Sequence, residues 1–120
     1  MIKENKELLL QDLCGRIPHG VKMKHIADTE NNPITLVGVA KTMITIESSA
    51  GYETSDIEDY IPYLFPMSSM TEEQKVDMIK SSCGIGSDKN VFDWFNKNHF
   101  DYRCLIPMGL AIDATDKNIY

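Results

Sequence analysis

The hydrophobic positions near the start of the chain repeat at helical spacing. The apolar side chains follow the i, i+3, i+4, i+7 pattern of a buried stripe, or lie beside it: Leu9, Leu10, Leu13, Cys14 and Ile17. The charged positions before them form the solvated face, and Pro18 cannot continue a helix. The pattern therefore predicts an N-terminal helix over residues 3–16.

After this helix the hydrophobic positions recur at every second residue, and this spacing predicts short β-strands. Apolar and polar side chains alternate from Val21 onward. The β-rich run over residues 34–47 is longer than a typical strand, so we divide it near residues 40–42. The turn-forming segment at residues 28–33 (DTENNP) separates it from the first strand. The expected strands are residues 21–27, 34–39, 43–48 and 52–57.

Residues 60–70 (YIPYLFPMSSM) form a stiff, proline-rich strap between the predicted strands and the helices that follow. Pro62 and Pro66 restrict the residue before each of them to extended geometry, so the strap is not helical throughout. We expect residues 57–64 to act as a short connector that closes the sheet. The aromatic side chains of the strap would then cover one open end of that sheet.

The chain after the strap carries the start signal of a helix. Thr71 is followed three residues later by Gln74, which is the spacing of a capping box. The signal predicts a helix over residues 72–82. Its inner side is expected to hold Val76, Ile79 and Cys83.

Two more helices are predicted near the C-terminus. A helix over residues 90–98 carries Trp94 on its apolar stripe. Asp101 is placed to cap a last short helix over residues 102–108, and Gly109 is its expected left-handed terminator.

These elements predict an α+β fold in one domain, residues 1–120. The domain consists of an N-terminal helix, a small antiparallel sheet and a C-terminal helical cap. Several short strands joined by tight turns are also typical of a partial SH3-like barrel, which is one form that the sheet could take.

The charge and the cysteines exclude several classes of protein. Eighteen acidic and twelve basic residues give a net charge of −6, and the basic residues are scattered, which argues against nucleic-acid binding. No apolar run approaches the roughly 18 residues of a membrane span, and no secretory leader is visible. An odd cysteine count without a C-x-x-C pair suits a reducing compartment. We therefore expect a cytoplasmic protein whose cysteines are small buried hydrophobes.

Three blocks of the chain form a recognisable series: residues 12–22 (DLCGRIPHGVK), 60–75 (YIPYLFPMSSMTEEQK) and 93–113 (DWFNKNHFDYRCLIPMGLAID). Together they resemble a family of short uncharacterised proteins encoded in gut Bacteroidales genomes and their phages. Members commonly read close to DLCARLPYGVK, PYLRPMSSMTEEE and DWLNAHHFDYRGLI, in that order. This chain departs from the pattern at Phe65, where the family usually has a basic residue, and at Cys104, where it often has glycine. The resemblance implies no catalytic or binding residue.

The metal-ligand residue types have no zinc-site spacing such as C-x-x-C or H-x₃-H. We therefore predict no metal and no other cofactor. The residue types in question are His19, His25, His99, Cys83 and Cys104.

The segment His99–Cys104 contains the densest group of reactive side chains. The structural interpretation is a capped helix start, with Asp101 accepting backbone N–H bonds and Arg103 paired to a carboxylate. The catalytic interpretation is a small polar site made by His99, Asp101, Arg103 and Cys104, in which His99 would activate the Cys104 thiol. The structural interpretation is the simpler one, because an aspartate before a helix usually caps it.

The aromatic and methionine side chains of the strap are candidates for protein binding. Packing against Trp94 is the simpler expectation, and an exposed patch is the alternative. The candidates are Tyr60, Tyr63, Phe65 and Met67.

With no catalytic motif in the chain, we expect a non-enzymatic accessory or protein-interaction protein of phage or mobile-element origin. Its partner would be another protein or a second copy of the chain, with no membrane and no nucleic acid involved. The alternative is a small enzyme with its polar site near His99, Asp101, Arg103 and Cys104.

Overall fold

The computed structural model describes residues 2–27, 32–81 and 87–120. The fold is α+β, with an N-terminal helix, a mixed sheet and further helices after the sheet. The helices are α1 (Lys3–Arg16), α2 (Glu72–Ser81) and α3 (Ser87–Lys97). The strands are β1 (Lys22–His25), β2 (Ile34–Ala40), β3 (Met43–Ser48), β4 (Gly51–Asp56), β5 (Tyr60–Pro66), β6 (Phe100–Asp101) and β7 (Ile112–Asp113).

The sheet is mixed, and the prediction of a purely antiparallel sheet is wrong. Strands lie in the order β4-β3-β2-β1-β5-β6, and the pairs from β4 to β5 are antiparallel. β5 then pairs in parallel with both β6 and β7. These two partners are only two residues long, which is too short to leave an alternating pattern in the sequence.

The proline-rich strap is a strand in the interior of the sheet, which corrects its prediction as a connector. Its first part, β5, lies between β1 and the parallel strands, and residues Met67–Ser69 form a 3₁₀ turn. Pro62 pairs with Met23 of β1, while pairing to β7 begins only at Tyr63. A proline without an N–H is tolerated there because β1 is its one paired neighbour among the described residues.

Within the described part of the chain, two hydrophobic clusters fill the interior. The aliphatic cluster lies between α1 and the antiparallel strands and is made of buried leucine, isoleucine, valine and methionine, with Tyr60 among them. The aromatic cluster is made of buried Trp94, Phe95 and Phe100, with Phe65, Met70, Met78, Val91 and Tyr102 packed against them.

The buried face of α1 is rotated relative to the predicted stripe. Leu9 and Leu13 are fully buried, whereas Cys14 is exposed, so the expectation of a buried cysteine is wrong there. Asp12 and Arg16 occupy the remaining buried positions of the same face. The helix therefore buries two charges in line with its leucines.

Helix α2 also turns a different side inward than predicted. Val76 and Ile79 are 51% and 57% exposed, while Met78 packs against the aromatic cluster and Asp77 accepts a hydrogen bond from the Trp94 indole at 2.7 Å. The indole bond and Met78 thus set the rotation of the helix. Cys83, predicted beside the other two, lies outside the described residues.

The last predicted helix, residues 102–108, is absent from the described chain, which forms successive turns there. Cys104 has φ of +60° and Pro107 removes a backbone donor, and both oppose a helix. Asp101 still caps this segment, because its two carboxylate oxygens accept the N–H groups of Leu105 and Ile106 at 2.8 and 2.9 Å. The predicted left-handed Gly109 is confirmed, with φ of +76°.

Candidate functional site

A buried ion pair joins α1 to the C-terminal half of the chain. Asp12 and Arg16 are both fully buried, with Arg16 Nε 2.7 Å from Asp12 Oδ2 and Nη2 3.2 Å from Oδ1. The i, i+4 spacing brings the two side chains together on one helix face. Arg16 Nη2 also donates to the Phe100 carbonyl oxygen at 2.7 Å, which ties α1 to β6.

Arg103 adds a second guanidinium to the same carboxylate. Its Nε lies 3.2 Å from Asp12 Oδ1, an ionic contact in which the N–H bond is not aligned for hydrogen bonding. The guanidinium carbons of Arg103 and Arg16 lie 5.1 and 5.3 Å from the ring centroid of Tyr102. Contacts of this kind between a cation and a ring are attractive and hold the planar groups in place.

Tyr102 is the aromatic centre of this region. Its ring stacks on Phe95 with 5.6 Å between centroids and lies 5.2 Å from Phe92. Its hydroxyl donates to Asn96 Oδ1 at 3.1 Å. Gly15 of α1 faces this amide so closely that an added Cβ would come within 2.9 Å of Asn96 Nδ2. Only a glycine allows α1 and α3 to approach here without displacing Asn96.

A groove of about 500 Å³ opens beside these residues, and we call it the Arg103 groove. Phe92, 49% exposed, is its most exposed aromatic wall, and the Arg103 side chain is 28% exposed. Since Arg103 Nε is buried and turned to Asp12, its terminal nitrogens are the donors left for a ligand. The groove is lined by Gly15, Phe92, Asn96, Tyr102 and Arg103.

His99 forms a separate site with Tyr120. It adopts φ of +63°, which is uncommon for a residue other than glycine, and its ring stacks on Tyr120 with 3.7 Å between centroids. Its Nδ1 is buried without a hydrogen-bond partner among the described residues. Burial, followed by the charges of Arg16, His19 and Lys22, lowers the pKa of His99 from 6.5 to about 4. The imidazole is therefore neutral at pH 7.

The Tyr120 hydroxyl bridges two strands of the sheet. It accepts from the Lys22 backbone N–H at 2.8 Å and donates to the Tyr63 carbonyl at 2.7 Å. The residue as a whole is 42% exposed, yet its hydroxyl is enclosed by these two partners. Burial raises the pKa of this phenol well above its usual value of 10. It therefore stays protonated and can serve as a donor.

The structure does not bring the four predicted catalytic residues into one cavity. Asp101 is 4% exposed and caps backbone N–H groups, and Arg103 is bound to Asp12. Cys104 is exposed and His99 lies against Tyr120. The Arg103 groove is lined by one of the four, Arg103. Among the described residues, no group of three His, Cys, Asp or Glu side chains is placed to hold a metal ion.

The strap contributes mainly to the interior. Tyr60 and Tyr63 are 6% and 0% exposed, so neither can form a surface patch. Phe65 is half-buried and contacts the rings of Phe100 and Tyr120. Of the four candidate binding residues only Met67 is exposed, at 39%.

Most residues of the Arg103 groove were not among the candidates from the sequence. Phe92 looked like an ordinary helical position, and Asn96 and Gly15 carry no motif. A usable signal exists for the ion pair beside the groove, because Asp12 and Arg16 share the helical phase of Leu9 and Leu13.

Comparison with protein-family models, with curated proteins and with solved structures finds no match to this chain. Within the part of the chain that the structure describes, no helix is long and apolar enough to cross a membrane.

Proposed function

We propose that this chain is a non-enzymatic accessory protein that acts by binding another protein through the Arg103 groove. The observation that carries the proposal is the half-exposed Phe92 beside an arginine already held in place by Asp12 and Tyr102. Aromatic residues and arginine are the types enriched where protein interfaces gain most of their binding energy. An arginine fixed before binding loses less conformational entropy when a partner arrives.

The proposed origin is a phage or mobile element of gut Bacteroidales. It is supported by the three sequence blocks and by the conformation of one residue that departs from them. Cys104 has φ of +60°, a conformation that favours glycine, and the family often has glycine at that position. We place the action of the protein in the cytoplasm, in keeping with its cysteine usage. An SH3-like closure of the antiparallel strands and a C-terminal helical cap stay predictions.

A small enzyme near His99 is the alternative function. In its favour, His99 is a neutral imidazole. Its Nδ1 has no hydrogen-bond partner among the described residues and could accept a proton. Its predicted helpers Asp101 and Arg103 have other partners, however, and the predicted nucleophile Cys104 is exposed while the His99 ring is stacked on Tyr120. The geometry therefore favours the binding function.

The test is capture of a partner from Bacteroidales lysate with the tagged chain and two matched variants. Phe92→Ser removes the aromatic wall of the Arg103 groove. Tyr52→Ser removes a 72% exposed aromatic side chain from the edge strand β4 and serves as the control. We expect a protein that binds the wild type and the control but not Phe92→Ser. Equal capture by all three chains, or by none, contradicts the proposal.

Self-association is checked by light scattering on the same three samples. If the partner is a second copy of this chain, the wild type and Tyr52→Ser are dimeric and Phe92→Ser is monomeric. If the wild type stays monomeric at high concentration and still captures a foreign protein, the groove binds that protein and not a second copy of the chain.

A further inference from the structure

Donors outnumber free acceptors around the Arg103 groove. Both oxygens of Asp12 already face a guanidinium nitrogen, and both oxygens of Asp101 accept backbone N–H groups. Arg16 Nη1 is buried without a partner among the described residues. Within the same residues, the guanidinium of Arg103 makes one ionic contact, through Nε. The terminal nitrogens of Arg103 thus have no acceptor among the described residues and are open to solvent or to an acceptor on a ligand.

The form of the donor matches an anion that offers two oxygen atoms side by side. A guanidinium presents two parallel N–H groups, and a carboxylate accepts them in a bidentate pair. Stacking on Tyr102 and the contact with Asp12 fix the plane of Arg103 before any ligand binds. Since one arginine lines the groove, its charge matches a single carboxylate.

The aromatic walls of the groove favour a ligand that carries an apolar or aromatic group next to the carboxylate. Phe92 and Tyr102 lie 5.2 Å apart, centroid to centroid, and both line the groove beside Arg103. An apolar or aromatic group next to the carboxylate would remove the exposed half of Phe92 from water. A charged group alone would leave this wall uncovered.

We propose that the Arg103 groove binds a carboxylate carried next to an aromatic or apolar side chain on a segment of a protein partner. The proposal rests on the proposed function and specifies the chemistry of the partner. A nucleic-acid backbone is a poor occupant, because it needs several basic contacts and the chain has a net charge of −6.

The test uses a matched pair of small probes, 3-phenylpropionate and 3-phenylpropanamide, which differ in the carboxylate alone. Each is titrated into the ¹⁵N-labelled full chain, and binding is followed by NMR at the Arg103 Nε–H and the Gly15 and Phe92 amides. We expect the acid to bind about tenfold more tightly than the amide, because a charge-assisted hydrogen bond is lost in the amide.

Variants separate the two walls of the site. Arg103→Gln removes both the charge and the guanidinium fork, so the preference for the acid should fall about tenfold, to none. Phe92→Ser should weaken both probes by a similar factor, and Tyr52→Ser should weaken neither. Unchanged amide dispersion in the NMR spectra shows that each variant is folded.

The outcomes are distinct. Equal affinities for the acid and the amide overturn the proposal, and so do NMR chemical-shift changes that are confined to residues outside the groove. A short single-stranded oligonucleotide that binds more tightly than the acid overturns it as well. Inorganic phosphate that displaces the acid at equal concentration also overturns it, since the site would then take any anion. In the capture experiment, a partner that is lost with Phe92→Ser but retained with Arg103→Gln leaves the proposed function standing and overturns the proposal that the groove binds a carboxylate.

Discussion

The two hydrophobic clusters of the described chain differ in their side chains and in the polar contacts beside them. The aliphatic cluster is closed by leucine and isoleucine from α1 and the antiparallel strands, with no charge among its buried members. Next to the aromatic cluster, the guanidinium groups of Arg16 and Arg103 lie over Tyr102, which packs against the cluster, and Arg16 donates to the Phe100 carbonyl oxygen. The first gains stability from apolar area alone, while the second also requires each buried charge to keep its partner. The groove proposed for binding lies on the second, where side chains are fixed by polar contacts.

The largest expected effect comes from breaking the ion pair at the aromatic side. Asp12→Ala leaves Arg16 buried without its carboxylate, and we expect the free energy of unfolding to fall by about 3–5 kcal/mol. Urea denaturation followed by circular dichroism measures the loss. The control is Glu7→Ala at an exposed position of the same helix, which should change stability by less than about 0.5 kcal/mol. A loss below about 1 kcal/mol for Asp12→Ala would show that the pair is dispensable.

The matching change in the aliphatic cluster is a substitution that creates a cavity there. Leu36 is fully buried in this cluster, so Leu36→Ala should cost about 3 kcal/mol through lost contacts and residual cavity. The loss should be the same in low and high salt, since no charge is involved. Leu36→Met, which conserves volume, should cost less than about 1.5 kcal/mol. A Leu36→Ala loss that varies with salt would mean that the two clusters are not energetically separate.

Acidification should act through His99. Its pKa is about 4 in the folded chain and 6.5 when unfolded, so the unfolded state takes up the proton first as the pH falls through this window. Stability is therefore present above pH 6.5 and declines towards pH 4, by about 1–2 kcal/mol between pH 7 and pH 5 once solvent screening of the partly exposed ring is included. Urea denaturation at several pH values measures the slope. His99→Asn, which tolerates positive φ, should lose this part of the slope, and an identical slope in both chains would refute the assignment.

The smallest effect concerns backbone strain in the loop after β6. Cys104→Gly relieves the left-handed conformation, so this variant should be about 1 kcal/mol more stable than Cys104→Ala. Comparing the two variants cancels the loss of the thiol. Equal melting temperatures for the glycine and alanine chains would show that the strain is absent in solution.

The sequence predicts the aliphatic side of the molecule well. Alternation over residues 34–48 locates β2 and β3, and the capping box at Thr71 is confirmed by reciprocal hydrogen bonds with Gln74 at 2.8 and 3.2 Å. These signals are local, because each depends on residues close together in the chain. The same locality explains why the bounds of α1 were predictable while its rotation was not.

The aromatic side depends on contacts that no local pattern contains. Arg16 donates to a carbonyl 84 residues away, and β5 became an interior strand through the two short strands paired with it. Charged residues on a helix normally face water, so a reading based on hydrophobicity places Asp12 and Arg16 outside. The groove is unpredictable from the sequence for the same reason, because the side chain of Arg103 is oriented by the buried Asp12.

The bridging hydroxyl of Tyr120 has a consequence for the order of folding. The register of β1 and β5, with Met23 opposite Pro62, places Lys22 opposite Tyr63, where a direct bond between the strands would be expected. The phenol oxygen occupies that position in the ladder and replaces one direct bond by two. The contact with Lys22 spans 98 residues, whereas the β2–β3–β4 meander forms from neighbours in the chain. Because closing so long a loop is entropically costly, we expect the meander to form early and the junction between β1 and β5 to be completed among the last steps.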